Sequence, residues 1–529
     1  MSKVVTAEQA AALIPDGAVV GAAASGLACW PQEVAEALGK RFQETGRPRG
    51  LTLLHSTAIG DWKQRGTVVM AFEGLIKRWI GGHVASSVPL AKLASEGKIE
   101  AYCLPQGVIL NLLRALARRE KGVLTKIGLG TFVDPRVEGG KMNSATHEDI
   151  VKVVQFEGEE YLWFKTVPVD VALIRGTTAD ENGNLSMEKE SIMTEALLLA
   201  QGVRNNGGIV IAQAEYLAKR GSLHPKHVIV PGICVDYVVI ATKPESQWQT
   251  EGCYFNPAFN GDVRVPLSSV PELPLDDTKI IARRAAMQLY PNIVVNLGIG
   301  VPSSVANIAV EENCSDLMTL TTETGAIGGV PASRPHFGNA YNPEAVIRHE
   351  AQMDFYDGGG IDVTCLGMAE VDRQGNVNVS KFNGRTVGCG GFVNISQAAK
   401  EVVFAGSFTA GGLKVTAQSG KLVIQEEGRN NKFVERVEQV TFSGKYAIQV
   451  KKPPLYVTER AVFTIQNEEL TLVEVAPGID LEKHVLAHMN FRPRIAANLK
   501  LMDPGIFWAK WGGLRTIIEN RVKARVAGA

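Results

Sequence analysis

Two stretches far apart in this chain match each other without a gap. Residues 170–186 read DVALIRGTTADENGNLS, and residues 362–378 read DVTCLGMAEVDRQGNVN. Each is an apolar run, a short polar step, Asp-x-x-Gly-Asn and a second strand-like step. A looser pair begins at Ala18 (AVVGAAASGLACWPQEVAEAL) and at Asn292 (NIVVNLGIGVPSSVANIAV), and repeats an apolar strand, a small-residue turn, a proline and a helix start. Repeated units of this kind point to duplication of an α/β unit. Between the copies, the segment from Asn256 to Asp277 carries Pro257, Pro266, Pro271 and Pro274 and has no helical period. It reads as a linker. The expected division is a first domain at 1–258, a linker at 259–277 and a second domain at 278–529.

Runs such as GIVIAQ, VIVPGICVDYVVI and EVVFAG alternate with helical stretches such as VILNLLRALARRE. Near-continuous Val/Ile runs suit strands buried on both faces, as in parallel sheets. The predicted fold class is therefore α/β: two tandem, similar open α/β domains with mainly parallel sheets. A length of 529 residues agrees, because one hydrophobic core rarely organises so many. In such sheets, ligands bind where the strands end at their carboxyl edge.

Lys plus Arg and Asp plus Glu both number 55, so the formal net charge is zero and nothing favours nucleic acid or an anionic membrane. No apolar run approaches the roughly 18 residues of a membrane-spanning helix. The N-terminus lacks the basic and apolar regions of a signal peptide. The seven cysteines are widely spaced and form no C-x-x-C. These features predict a cytoplasmic protein with free thiols.

Walker A, G-x-S-x-G and H-E-x-x-H motifs are all absent. His484 and His488, spaced for one helix face, and His224 and His227 read as surface or core residues rather than metal ligands. Three glycine-rich turns are candidates for chemistry. NLGIGVP (296–302) ends an apolar strand and opens a helix, where glycines and free N–H groups suit an anion, although a packing turn serves equally. LMTLTTETGAIGGVP (317–331) ends a strand on Glu323, with Gly325, Gly328 and Gly329 after it. Its local sequence alone fits a structural carboxylate at least as well as a reactive one. TVGCGGFVNIS carries Gly388, Gly390 and Gly391, whose backbone N–H groups suit developing negative charge. FYDGGGIDV, around Gly358–Gly360, reads equally as a tight turn.

Together these segments resemble the family I CoA-transferases, in particular the single-chain, two-domain branch that includes short-chain acyl-CoA:acetate and propionate CoA-transferases. The likeness spans nearly the whole chain, through LPQGVILNLLRA, LTKIGLGTFVDPR, NNGGIVIAQ, TTETGAIGG, DFYDGGGIDV, VSKFNGR and YVTERAVF. It implies an active site between the two domains and a catalytic glutamate at Glu323. It also implies that Gln106 faces that glutamate, that Gly298, Ile299, Gly300, Val301 and Pro302 bind CoA, and that Gly390 and Gly391 make CoA and oxyanion contacts. Coenzyme A enters as a substrate, with no permanently bound cofactor and no metal. The implied partners are acyl-CoA and short-chain carboxylic acids, and the implied assembly is a homotetramer. Two departures stand out. Thr-Glu-Thr-Gly replaces the Ser-Glu-Asn-Gly of two-subunit relatives, and Ala23-Ala24-Ser25, with Cys29 where glycine is common, replaces a Gly-Gly-Phe turn.

A carboxylate acts as a covalent nucleophile without ATP and without a general base. The lack of a histidine near Glu323 in the sequence is therefore no objection. The implied activity is ping-pong transfer of CoA between acids through an acyl-glutamyl anhydride and a glutamyl-CoA thioester. Its rivals are an acyl-CoA hydrolase using the same glutamate and a non-catalytic metabolite-binding protein.

Overall fold

Eight strands of the first half form one sheet, each pair parallel: β1 (Val4–Val5), β2 (Val19–Ala22), β3 (Leu51–His55), β4 (Ile76–Gly81), β5 (Glu100–Cys103), β6 (Val171–Arg175), β7 (Ile209–Ala214) and β8 (Tyr237–Ile240), in the order β1-β8-β7-β6-β2-β3-β4-β5. All five residues of β6 are buried: four are apolar, and the fifth, Arg175, is paired with the buried Glu190 at 2.9 Å. Residues 3–266 and 272–528 are described by the structure, a computed structural model. Part of the expected linker, 267–271, lies outside the described residues.

The second half forms a ten-stranded sheet from β9 (Ile293–Leu297), β10 (Met318–Thr321), β11 (Ala326–Ile327), β12 (Ala345–Val346), β13 (Val363–Gly367), β14 (Glu401–Ala405), β15 (Leu455–Val457), β16 (Ala461–Gln466), β17 (Glu469–Val475) and β18 (Arg494–Leu501). Its order is β12-β11-β10-β9-β13-β14-β15-β16-β17-β18. The stretch β10-β9-β13-β14-β15 is parallel and repeats the first half's β3-β2-β6-β7-β8 strand for strand. Antiparallel additions at both edges distinguish the second sheet.

The repeated Asp-x-x-Gly-Asn segments fold identically. Asp180 Oδ1 accepts from the N–H groups of Asn182 and Asn184 at 2.9 and 3.0 Å, and its Oδ2 accepts from Asn184 Nδ2 at 2.9 Å. Asp372 does the same with Gln374, Asn376 and Asn376 Nδ2 at 3.0, 3.0 and 2.9 Å. Upstream, Asp170 and Asp362 each accept from a backbone N–H of the neighbouring strand, Val19 and Val294, at 2.8 Å. In both halves a short Asp side chain thus satisfies turn N–H groups that the sheet leaves open.

Helices cover both sheets. Those that matter below are α1 (Gln32–Thr45), α2 (Gln106–Ala117), α3 (Ala196–Asn205), α4 (Ser304–Glu311), α5 (His349–Asp357) and α6 (Phe392–Ala398). In the looser repeat, proline precedes a helix in both copies: Pro31 caps α1, and Pro302 lies in the 3-10 turn before α4. The expected linker is not wholly irregular, since Pro257–Asn260 makes a helical turn capped by the Asn256 side chain. LEKHVLAHM does not form one helix. Leu481–His484 and Leu486–His488 are separate short turns, so His484 and His488 do not share a continuous face.

Candidate active site

Strand β10 delivers Glu323 to the carboxyl edge of the second sheet. Beneath the turn, the buried Tyr356 hydroxyl meets Thr321 Oγ1 at 2.7 Å, and Gly325 N–H donates to the Thr322 carbonyl at 3.2 Å. Gly325 has φ +116, and a Cβ there would lie 2.0 Å from the Ile347 carbonyl oxygen. No other residue fits that position, so the turn holding Glu323 is sterically locked.

The glycine turn at 388–391 is strapped to the opposite half. Val84 N–H donates to the Val387 carbonyl at 2.9 Å, Gly390 N–H to Gly82 at 2.8 Å, and Gln106 N–H to the Gly390 carbonyl at 3.0 Å. Gly390 is thus corrected as an oxyanion donor, because its N–H already serves the Gly82 carbonyl. Its role is to fix the turn across the interface. Among the described residues, the Gly391 N–H has no acceptor. A Cβ on Gly391 would stand 2.5 Å from Glu323 Oε2, so only glycine lets the carboxylate approach this backbone.

From the first half, Gln106 opens α2 with its side chain buried, close enough to the Glu323 carboxylate to favour its ionised form. Its Nε2 also lies 2.6 Å from Nε2 of His349, the first residue of α5. His349 Nδ1 meets Glu195 Oε2 at 2.9 Å, and Ser56 Oγ donates to Glu195 Oε1 at 2.5 Å. His349 and Glu195 are both 0% exposed. A histidine distant in sequence therefore stands close to the Glu323 turn. It comes from a helix start downstream that no local motif marked.

Burial pushes the Glu323 carboxyl above its ordinary range, while His349 and the Gln106 hydrogen bond pull it back. Burial pushes the His349 imidazole down, but the Glu195 hydrogen bond and the charges of Glu195, Glu323 and Glu350 outweigh it and hold its pKa above the usual value.

A cavity of ≈ 830 Å³ opens above Glu323. Its lining includes Gln106, Thr57 and His83 from the first half and Gly298, Glu323 and Gly391 from the second. These positions follow the carboxyl ends of β5, β3, β4, β9 and β10, where the topology directs a ligand, and Gly391 caps α6. Of the glycine turn at 298–302, Gly298 and Ile299 line the cavity, with Ile299 41% exposed. Gly300, Val301 and Pro302 lie outside that lining, and Pro302 is buried. In the first-half turn, Ser25 lines the cavity, while Ala23 and Ala24 are buried. Cys29 adopts the left-handed φ of +57 that a glycine would take freely, with its Sγ on the Ile192 carbonyl at 3.3 Å. Gly358 ends α5 and Gly359 has φ +86, so that triplet is a helix-terminating turn. His224 and His484 accept from nearby backbone N–H groups, of Lys226 and Asp480.

The family model described as "Coenzyme A transferase" matches residues 4–241. A caffeate CoA-transferase of Acetobacterium woodii is 52% identical over 98% of this chain and 100% of its own. The acetate CoA-transferase YdiF of Escherichia coli (strain K12) is 43% identical over 95% of each. The chain belongs to the coenzyme A transferases. The crystal structure of acyl-CoA transferase YdiF from E. coli O157:H7, a thioester complex with CoA, superposes with a TM-score of 0.91 at 41% identity, covering 97% of both chains.

In this coenzyme A transferase, Glu323, Gln106, Gly298, Ile299, Gly390 and Gly391 line one cavity. Ser56, Glu195 and His349 were missed in the sequence. Their one signal was the duplication itself: aligning the halves by strand register marks the positions that correspond to the nucleophile turn. Among the described residues, no helix is long and apolar enough to cross a membrane.

Proposed function

We propose that Glu323 is the covalent carrier through which this coenzyme A transferase moves CoA between a short-chain acyl-CoA and a free carboxylic acid. A Glu323 oxygen attacks the thioester carbonyl; the C–S bond breaks, leaving CoA thiolate and an acyl-glutamyl anhydride. The thiolate then attacks the Glu323 carbonyl of the anhydride, the C–O bond breaks, and the first acid departs as carboxylate. A second carboxylate reverses both steps. Every electron pair is accounted for without proton transfer, so the raised pKa of Glu323 serves nucleophilicity provided the carboxylate stays ionised. Gly391 N–H is the donor assigned to the developing oxyanion. Gly298 and Ile299 flank CoA, and binding energy from the distant nucleotide is available to the reacting centre.

The observation that carries this reading is the Glu323 carboxylate in the cavity lining, against Gly391 and with Gln106 from the other half in the same lining. The division of labour puts Gln106 in residues 1–258 and the nucleophile in residues 278–529, joined by 259–277. A cytoplasmic homotetramer accompanies the reading, supported for the compartment by seven cysteines without a disulfide.

A second acceptor class, an aromatic acid, is favoured by Trp62, His83 and Phe337 in the cavity lining and by the caffeate CoA-transferase at 52% identity. Turnover of acetyl-CoA against a panel of aliphatic and cinnamate-type acids separates the two. The same assay without acceptor separates transfer from hydrolysis. Borohydride reduction in the presence of acyl-CoA should modify Glu323 in the TTETGAIGG peptide. Label elsewhere, or near wild-type exchange in Glu323→Ala, would overturn the assignment. The expected loss in Glu323→Ala is roughly 10⁴-fold or more.

A further inference from the structure

Behind the proposed nucleophile runs a buried chain of polar groups that the covalent mechanism does not use: Ser56, Glu195, His349 and Gln106. It crosses the interface twice, since Ser56, Glu195 and Gln106 belong to the first half and His349 to the second. Burying a carboxylate and an imidazole this completely is costly unless their hydrogen bonds do something in return.

Gln106 Nε2 lies 2.6 Å from His349 Nε2, and an amide nitrogen only donates, so this contact is a hydrogen bond in the Nδ1–H tautomer, where the imidazole Nε2 accepts. The imidazole proton then sits on Nδ1 and is donated to Glu195 Oε2 at 2.9 Å. Glu195 is held in turn by Ser56 Oγ–H at 2.5 Å and, as a carboxylate, accepts from both. One hydrogen of the Gln106 amide goes to His349, which leaves the other available to Glu323, whose carboxyl pKa Gln106 lowers. With the imidazole protonated, Nε2–H would confront the amide hydrogens, and Gln106 would turn its oxygen toward His349 and withdraw its donor from Glu323.

We propose that Glu195 and His349 are positioning residues that hold the Gln106 amide with its N–H group on Glu323, and that transfer requires the neutral Nδ1–H tautomer of His349. This rests on Glu323 being the carrier. The charged groups facing His349 are Glu195 from the first half, Glu323 on the nucleophile turn and Glu350 on its own helix. Arg348 adjoins Glu350, and Glu195 also acts on His55, which burial pushes down to about 4 and keeps neutral.

The test reads pre-steady-state exchange and pH profiles of the full chain. His349→Ala should lower kcat by roughly tenfold to a hundredfold, the scale of one charge-assisted hydrogen bond, with KM for acyl-CoA within about threefold. His349→Gln keeps an acceptor for Gln106 and should recover part of that loss. The double variant His349→Ala/Gln106→Ala should be no slower than the slower single variant, because both break one chain. Glu195→Gln, nearly isosteric and expected to fold, removes the charge that raises the imidazole pKa, so the acid limb of kcat should move to lower pH. If that limb reported Glu323 alone, losing imidazolium would leave the glutamate pKa higher and move the limb upward or not at all. An upward or absent shift, or multiplicative effects in the double variant, overturns the proposal. Borohydride labelling of wild-type Glu323 separates this failure from failure of the carrier assignment: label present with unmoved profiles sinks only the positioning role.

Discussion

Strand register aligns the two halves residue by residue at the turns that follow β3 and β10. Val20 pairs with Leu53 and Val171, and Val295 pairs with Leu320 and Val363. Counting onward from Leu53 and Leu320, Ser56 in the first half occupies the place of Glu323 in the second. Glu195 caps α3 where Gly391 caps α6, and Gln106 opens α2 where His349 opens α5. Each half therefore contains one glutamate and one small residue on the same two positions, but in opposite arrangement. In the second half the glutamate is on the strand turn, facing glycine and the cavity. In the first half it is on the helix cap, facing serine and buried. The same scaffold puts one carboxylate in the cavity lining in one copy and seals the other away from solvent. The two copies then meet through the Gln106–His349 contact, which joins equivalent helix starts.

The contrast is most sharply broken at Gly391. Gly391→Ala should reduce exchange by about 10²-fold while leaving thermal unfolding nearly unchanged, because a Cβ 2.5 Å from Glu323 Oε2 displaces the carboxylate by a fraction of an ångström to an ångström. Single-turnover labelling of Glu323 measures it. An alanine variant as fast as wild type would mean that the carboxylate does not need its approach to this backbone.

The next effect is on stability. Ser56→Glu places two carboxylates where Ser56 Oγ and Glu195 Oε1 are 2.5 Å apart, in a pocket closed to water. Both cannot be ionised there. The expected cost is about 3 kcal/mol or more by denaturant unfolding. Ser56→Glu/Glu195→Gly installs the second half's own arrangement in the first and should regain more than half of that loss. Exchange stays low in the double variant, since His349 has lost its acceptor. A Ser56→Glu chain as stable as wild type would show that the positions do not correspond.

Much of this organisation could be read from the sequence because it is local. The Asp-x-x-Gly-Asn repeat, the Val/Ile runs and the glycines of the Glu323 turn depend on neighbours within a few residues, and each folded as its pattern implied. Gln106 was reached only through the family resemblance. Glu195, His349 and Ser56 were not reached, because nothing near them in the chain announces a site; HEAQMDFYD reads as an ordinary helix start. Their chemistry arises from tertiary convergence across the interface. The same limit explains Gly390. Sequence marks a glycine-rich turn, but which N–H is already engaged depends on Gly82, on the other half.

The smallest difference between the halves lies in the repeated aspartates, whose turn hydrogen bonds match while Asp180 also accepts from the Gly221 N–H at 3.3 Å. Burial pushes the Asp180 carboxyl up, but hydrogen bonds from Asn184 and from the N–H groups of Asn184, Gly221 and Asn182 outweigh it and hold the pKa below its ordinary value. At Asp372 burial wins over the same kind of hydrogen bonds, and the pKa lies above the ordinary value. The signs of their contributions to stability are therefore opposite. Asp180 stabilises above the unfolded carboxyl pKa of about 4 and loses that as pH falls through its depressed folded pKa. Asp372 contributes fully only below the unfolded value and loses the contribution as pH rises through its raised folded pKa. At pH 7, Asp180→Asn should destabilise by about 1–2 kcal/mol, and Asp372→Asn by less, although each removes one charged acceptor from the same set of donors. Lowering the pH toward about 3 should narrow the gap, as Asp180 loses its advantage. Thermal midpoints of the two variants across that range provide the measurement, and equal losses at pH 7 would mean that the opposite pKa directions do not separate the energetics of the two copies.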